Sequence, residues 1–292
     1  MTEGEARTAA LTGGLLPATE WVEVNGLRLR CLVWGAAEEP TAVLVHGNGA
    51  HAHWWDTLIP ALVPGWRLVA PDLRGHGESS WAEPPSYLMR DFAADLGGVL
   101  SALAPGRFAL VGHSMGGRIA AWYAAHHPEQ VCRLVLLDAR LTMVDPREAV
   151  KWRGAVSGQR EGRSYPTRER ALAAFRFVPD EPGVAPEVVR NLAWHAVAER
   201  KPGDFTFRFD RAVLSVHGDG ERGLEEVVRR IACPTLIMAG VHSGVLGRRA
   251  REDQVRRIPG ATLAVFPGGH HFLAQGGREV GTTMRRFLDG FS

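Results

Sequence analysis

The segment LVGHSMGGRIAAWYAAHHPE, from Leu110 to Glu129, places a serine between two glycines where the residue pattern changes. The apolar run that ends at Val111 is typical of a short buried strand. After Met115, apolar residues recur at helical spacing until His127-Pro128 ends the run. Glycines on both sides of the serine leave room for a tight and strained turn. The segment therefore predicts a nucleophile elbow, with Ser114 as the nucleophile.

Strands and helices alternate on both sides of this corner. Short apolar runs at 41–45, 67–70, 133–137, 235–239 and 261–266 have the length of buried strands, and most are separated by helical patterns. This alternation indicates a mostly parallel sheet covered by helices on both faces. The Asn25-Gly26 pair lies between two alternating runs and predicts a β-hairpin, so the sheet should begin with antiparallel strands.

The alternation is interrupted in the middle of the chain by charged, proline-punctuated segments of helical pattern. We predict an α/β core over residues 19–140 and 232–292, with an inserted helical cap over residues 141–231. Residues 1–18 begin acidic and show no continuous apolar pattern, which favours a flexible N-terminal tail and excludes a secretory signal.

Composition narrows the function classes. The chain has 292 residues, 45% of them hydrophobic, which is enough for a sizeable core. Its net charge of +2 and scattered basic residues argue against a nucleic-acid partner. The three widely spaced cysteines favour buried thiols in a reducing compartment over a disulfide scaffold or a metal site. No apolar run is long enough for a membrane helix, so we expect a cytoplasmic protein without membrane contact.

A serine nucleophile needs a general base, and the base needs a carboxylate to orient it. The last strand ends in VFPGGHHFLAQGG, and either His270 or His271 on this loop could reach Ser114. The acid should follow a strand between the serine and the histidine in the chain. The segment after the strand at 235–239 has no acid before Glu252, whereas Asp138 directly follows the strand at 133–137. We therefore predict that Asp138 is the acid.

Acyl transfer also requires two hydrogen-bond donors for the developing oxyanion. One is the backbone N–H of Met115, at the helix start, where N–H groups have no intrahelical partner. The other should come from the loop HGNGA after the strand at 41–45, where glycines let a substrate approach the backbone. We expect this second donor to be the N–H of Asn48.

The motifs HGNG, PDLRGHGES, GHSMGG and GGHH, in this order, resemble the α/β-hydrolase superfamily, and PDLRGHGES is typical of its lidded branch of esterases, C–C hydrolases, dehalogenases and epoxide hydrolases. The resemblance implies a mostly parallel eight-stranded sheet with an inserted helical cap. It also implies that Arg74, Gly75 and Gly77 shape a loop near the site without taking part in the chemistry. By position relative to Pro267, it implies that His271 and not His270 is the base.

Two features of the chain depart from the common pattern of this superfamily. Ser243-Gly244 stands where many members carry the acid, which leaves the position of Asp138 used by some members. Dehalogenases and epoxide hydrolases of the superfamily use an aspartate nucleophile, so Ser114 disfavours both of those reactions.

These observations predict a carboxylic ester hydrolase that acts on a small-molecule acyl compound and needs no cofactor and no metal. Aromatic residues after the oxyanion loop and in the cap suggest an apolar or aromatic acyl pocket, although core packing explains them equally well. The same residues would serve a C–C bond hydrolase of ring-cleavage diketones. A non-hydrolytic ligand-binding member of the fold is the third alternative, favoured by the missing usual acid.

Overall fold

The computed structural model describes residues 1–141, 164–215 and 224–290. Within these ranges the strands are β1 (Ala18–Val24), β2 (Leu27–Trp34), β3 (Thr41–Val45), β4 (Arg67–Pro71), β5 (Phe108–His113), β6 (Val131–Leu137), β7 (Val197–Lys201), β8 (Asp204–Phe207), β9 (Thr235–Gly240) and β10 (Ala261–Phe266). Eight of them form one sheet in the order β1-β2-β4-β3-β5-β6-β9-β10, and β7 pairs with β8 separately.

The direction of the strands confirms the mostly parallel sheet. β1 pairs with β2 and β2 with β4 in antiparallel fashion, whereas every other neighbouring pair of the large sheet is parallel. Asn25 and Gly26 form the predicted turn between β1 and β2, with φ angles of 51° and 75°. Because β3, β5, β6, β9 and β10 are parallel, their carboxyl ends share one edge of the sheet, and the loops that follow them lie side by side there.

Helices cover both faces of the sheet. The helices are α1 (Glu3–Thr12), α2 (Ile59–Leu62), α3 (Met89–Leu103), α4 (Met115–His126), α5 (Arg168–Ala173), α6 (Pro186–Ala196), α7 (Leu224–Arg229), α8 (Arg248–Arg257), α9 (Phe272–Gln275) and α10 (Gly277–Leu288). Apolar residues of α3, α4, α7 and α8 pack on one face, and those of α2, α9 and α10 pack on the other. None of the helices in the described ranges is long and apolar enough to cross a bilayer.

The described part of the predicted cap contains α5, α6 and the β7–β8 hairpin, and none of these joins the large sheet. The hairpin continues into a segment that contacts the loop after β4, where the Gly77 N–H donates to the Arg208 carbonyl at 2.8 Å. Helix α7 also falls inside the range 141–231, yet its Val227 and Val228 pack with core residues of the sheet and of α4. The second core segment, predicted to begin at residue 232, therefore includes helix α7 as well.

The N-terminal segment is a helix and not the flexible tail predicted over residues 1–18. Helix α1 begins with a capping box in which the Thr2 hydroxyl accepts from the Glu5 N–H and the Glu5 carboxylate accepts from the Thr2 N–H at 2.6 Å. It packs against α6, where Thr8 Oγ1 lies 3.0 Å from Nε2 of His195. The tail prediction is wrong because the partners of this helix lie far away in the sequence.

Candidate active site

Ser114 occupies a strained turn between β5 and α4. Its φ of 53° and ψ of −118° lie where non-glycine residues are rarely found. The neighbouring glycines are required by close packing: a Cβ on Gly112 would lie 2.5 Å from the Gly116 carbonyl oxygen, and one on Gly116 would lie 2.1 Å from that of Val45. The glycines thus let the turn form and fix the serine at the carboxyl edge of the sheet.

His270 links Ser114 to Asp138. Its Nε2 lies 3.0 Å from Oγ of Ser114, and its Nδ1 lies 2.6 Å from Oδ2 of Asp138. An ionised carboxylate can only accept, so Nδ1 carries the proton and Nε2 is the acceptor that faces the serine hydroxyl. Both His270 and Asp138 are buried, which strengthens these hydrogen bonds by excluding water.

His270, and not His271, lies within hydrogen-bond distance of Ser114, so the expectation that His271 is placed as the base is wrong. Its Nε2 lies 3.2 Å from the carbonyl oxygen of Val178 in the cap. The ring packs against Trp54 and Phe177, with centroid distances of 5.0 and 5.3 Å. His270 and His271 are consecutive on a tight loop that leads into α9, so their side chains leave the backbone in different directions. Burial, followed by the neighbouring His270, lowers the pKa of His271 well below its usual value.

Asp138 lies at the end of β6 with a positive φ of 45° and a fully buried side chain. Besides His270, its Oδ2 accepts from the Ser243 hydroxyl at 2.5 Å. Ser243 is itself fixed, because its Oγ accepts from the N–H groups of Val245 and Leu246 at 3.1 and 3.0 Å. In the sequence, Ser243-Gly244 was notable only as a position without the usual acid. The structure instead gives Ser243 a contact with the acid at Asp138.

The loop after β3 lies against the nucleophile. A Cβ on Gly47 would lie 3.2 Å from Cβ of Ser114, which brings the backbone around Asn48 next to the serine. His46 fixes this loop: its Nδ1–H donates to the Gly47 carbonyl at 2.7 Å, and its Nε2 accepts from the Leu73 N–H at 3.0 Å. Burial lowers the pKa of His46 to about 4, so it remains neutral and keeps both bonds near neutral pH.

His113, the residue before the nucleophile, contacts the loop that carries His270 and His271, here called the histidine loop. Its Nε2–H donates to the His270 carbonyl at 3.0 Å. Burial and the neighbouring His270 lower the pKa of His113 to about 3, so the ring stays uncharged. No local sequence pattern distinguished this residue, although its place within GHSMG was visible.

Buried polar contacts and close packing shape the PDLRGHGES loop. Oδ1 of the buried Asp72 accepts from the Ala52 N–H at 2.7 Å, which ties this loop to the segment after the oxyanion loop. Arg74 forms a two-pronged ion pair with Asp95, at 2.5 and 2.7 Å. Gly77 has a φ of 55°, and a Cβ there would lie 2.2 Å from Cγ of Asp72. These contacts shape the loop around a buried carboxylate.

The aromatic residues after the oxyanion loop and in the predicted cap lie in three places. Trp54, Phe175 and Phe177 form a buried apolar cluster beside His271, with Phe177 at centroid distances of 5.6 and 5.5 Å from the other two. Trp55 packs in the core of the sheet. Trp194 lies on α6 against α1, where the Arg7 guanidinium is 5.1 Å from its ring centroid. Of these three places, the first borders the loop that carries His270 and His271.

A second histidine cluster lies between α1, α6 and the segment before α2. The rings of His53 and His195 stack with centroids 3.5 Å apart. Nδ1 of His53 lies 3.1 Å from Asp56, and its Nε2 accepts from Arg30 Nη2 at 3.1 Å. His53, Asp56 and His195 bring potential metal ligands within 4.8 Å of one another. The guanidinium and the parallel rings fit a metal ion poorly, because stacked imidazoles do not direct their lone pairs at one point.

The chain is similar to known proteins over most of its length. A family model described as alpha/beta hydrolase fold matches residues 40–276. An esterase of Mycobacterium tuberculosis is 29% identical over 277 residues, which cover 94% of this chain and 88% of that protein. The crystal structure of an esterase from this organism superposes with a TM-score of 0.77 at 29% identity, covering 98% of this chain and 97% of that one.

Two further similarities extend the range of relatives. A pyrrolizixenacetamide deacetylase of Xenorhabdus hominickii is 29% identical over 262 residues, covering 85% of this chain and 91% of that protein. The structure of E-2-(acetamidomethylene)succinate hydrolase has a TM-score of 0.82 at 23% identity, covering 94% of this chain and all of that one. The second similarity shows a shared fold.

Proposed function

Because the chain belongs to the alpha/beta hydrolase fold family, we propose that it is a serine hydrolase that cleaves carboxylic esters or related acyl compounds through an acyl-enzyme. One observation carries the proposal: the hydrogen-bonded line from Ser114 Oγ to His270 Nε2, at 3.0 Å, and from His270 Nδ1 to Asp138, at 2.6 Å. A nucleophile, a base and an orienting carboxylate in this arrangement are the parts that acyl transfer needs.

In the proposed reaction, Ser114 Oγ attacks the carbonyl carbon of the substrate while its proton passes to Nε2 of His270. Asp138 accepts from the Nδ1–H and stabilises the imidazolium that forms. The backbone N–H groups of Asn48 and Met115 donate to the oxyanion of the tetrahedral intermediate. The imidazolium then protonates the leaving group, and water hydrolyses the acyl-enzyme by the same route.

The substrate is proposed to be a small acyl compound. The cluster of Trp54, Phe175 and Phe177 beside the histidine loop supports an apolar acyl group. The deacetylase among the relatives extends the candidate substrates to amides, because amide cleavage uses the same residues. A substrate panel of nitrophenyl esters, acetamides and ring-cleavage dienones separates an esterase from an amidase and from a C–C hydrolase.

The test of the serine needs no natural substrate. The folded protein is incubated with a fluorophosphonate, and intact mass and peptide mapping locate the label. We expect one label per chain at Ser114, no label in the Ser114→Ala variant, and wild-type labelling in Ser101→Ala, which changes an exposed serine of α3. An unlabelled but folded wild-type protein would overturn the proposal and favour a ligand-binding role.

A further inference from the structure

Glu181, in the cap between α5 and α6, is a buried carboxylate whose two oxygens contact the histidine loop. Oε1 accepts from the Gly269 N–H at 2.6 Å, and Oε2 accepts from the His271 N–H at 2.7 Å. The residue is 4% exposed. A buried charge is costly unless donors compensate it, and these two short charge-assisted hydrogen bonds supply that compensation.

The two N–H groups belong to the residues on either side of His270. Val178, in the same cap segment, accepts from Nε2 of His271 at 3.2 Å. Three hydrogen bonds therefore join cap residues 178–181 to loop residues 269–271. These three bonds hold the residues on both sides of His270, and none of them involves the His270 side chain.

The glycines of the loop allow this close approach. A Cβ on Gly269 would lie 2.9 Å from Oε2 of Glu181, and one on Gly268 would lie 3.0 Å from Oε1. Gly268 also has a φ of 105°, which glycine adopts readily. Gly268 and Gly269 therefore leave room for the Glu181 carboxylate, and Gly268 also allows the turn.

We infer that Glu181 is a positioning residue, which holds the His270 backbone so that its ring spans Ser114 and Asp138. The inference rests on the proposed function, since it assumes that His270 is the base. The Glu181 carboxylate comes from the predicted cap, whereas the Gly269 and His271 amides belong to the core. The alignment of His270 would therefore depend on how the cap packs against the core. The reaction geometry would then depend on a residue that touches neither Ser114 nor Asp138.

The informative substitution is Glu181→Gln. Glutamine offers one acceptor and one donor group, so one of the two loop N–H groups would face an NH₂ group. The matched control is Asp180→Asn, which removes the same charge from the adjacent, exposed position. Glu181→Asp keeps the charge but is one methylene shorter, and we expect its rate to lie between those of the wild type and Glu181→Gln.

The measurements are the fluorophosphonate stoichiometry, the labelling rate constant per chain, kcat and KM for a nitrophenyl ester, and the melting temperature. For Glu181→Gln we expect one label per chain, an unchanged KM, and a labelling rate and kcat lowered by about ten- to a hundredfold, the equivalent of a charge-assisted hydrogen bond. Asp180→Asn should behave as the wild type.

The possible outcomes are distinguishable. Slow labelling at full stoichiometry supports the positioning role. Fewer labelled chains with an unchanged rate per labelled chain would overturn it, because that pattern means a structural role only; so would wild-type rates in Glu181→Gln. If Glu181→Gln does not fold, a wild-type labelling rate in folded Glu181→Asp overturns the inference and a lowered one supports it. A wild-type protein that is not labelled at all contradicts the proposed function itself.

Discussion

Two buried histidines of this protein each face a carboxylate through Nδ1, but their second ring nitrogens face different groups. Nδ1 of His270 lies 2.6 Å from Asp138, and its Nε2 faces the hydroxyl of Ser114. Nδ1 of His53 lies 3.1 Å from Asp56, and its Nε2 faces the Arg30 guanidinium. Both pairs are buried, and both lie close to further histidines.

The difference lies in what each Nε2 can do. The nitrogen of His270 can take a proton from a hydroxyl held in a strained turn. That of His53 accepts from a guanidinium, which does not give up its proton in proteins. Burial and a histidine–carboxylate pair are therefore shared by both clusters and do not identify a catalytic site. The two pairs are distinguished by the group that faces Nε2, which is a hydroxyl at His270 and a guanidinium at His53.

The largest effect is expected from the histidine loop. Replacing His270 with alanine removes the proposed base and should lower kcat on the order of 10⁶-fold, as loss of a triad histidine does elsewhere. His271→Ala is the matched control, and it should keep kcat within about tenfold because its ring contacts Val178, Trp54 and Phe177. Steady-state kinetics on a nitrophenyl ester compares the two. A larger loss in His271→Ala would reverse the assignment of the base.

Asp138→Asn should follow, with a kcat lower by about 10⁴-fold, because an amide at this position favours the wrong imidazole tautomer. The melting temperature shows whether the variant is folded. If kcat falls less than about tenfold in a folded variant, Asp138 does not orient the base. The His270–Asp138 pair would then not differ in function from the His53–Asp56 pair.

Ser243→Ala should have a smaller effect. It removes the hydroxyl that donates to Asp138 at 2.5 Å and leaves the histidine contact in place. One hydrogen bond to a charged group corresponds to about a tenfold change in kcat/KM. Ser243→Thr retains the hydroxyl and serves as the conservative control. Equal kcat/KM in Ser243→Ala and the wild type would show that the contact does not tune the acid.

The smallest effect on activity is expected at the second cluster. Asp56 accepts from Nδ2 of Asn191 at 2.8 Å as well as facing His53, so Asp56→Asn places donors against donors in a buried site. The free energy of unfolding should fall by about 1–3 kcal/mol, while kcat per folded chain stays at the wild-type value. Urea denaturation and active-site titration measure the two quantities. A kcat lower by tenfold would give this cluster a catalytic role that its geometry does not indicate.

The sheet and the elbow were predictable because their patterns are local. Strand length, helical spacing and the glycines around Ser114 all lie within a few residues of the features they determine. Asp138 followed from the order of strands, and the structure brings it to Ser114 through His270. The choice between adjacent histidines depends on which way each side chain leaves a tight loop, and the spacing from Pro267 did not encode that direction.

Other features depended on contacts between distant parts of the chain. Helix α1 has a capping box, Thr2 to Glu5, that was visible in the sequence, but its packing against Trp194 and His195 was not. The role of Ser243 was not predictable from its neighbours, because its contact with Asp138 spans 105 positions of the chain. Polar side chains whose partners come from another element carry little local pattern.

Helix α1 also bears on how this protein can be recombined with its relatives. Thr8 lies 3.4 Å from His53 of the core and 3.0 Å from His195 of the cap, so one N-terminal side chain joins both parts. A chimera that exchanges only α5, α6 and the β7–β8 hairpin would pair a foreign α6 with the native α1 and lose this junction. The transplantable unit is discontinuous, and a graft of the predicted cap should move residues 1–12 together with it.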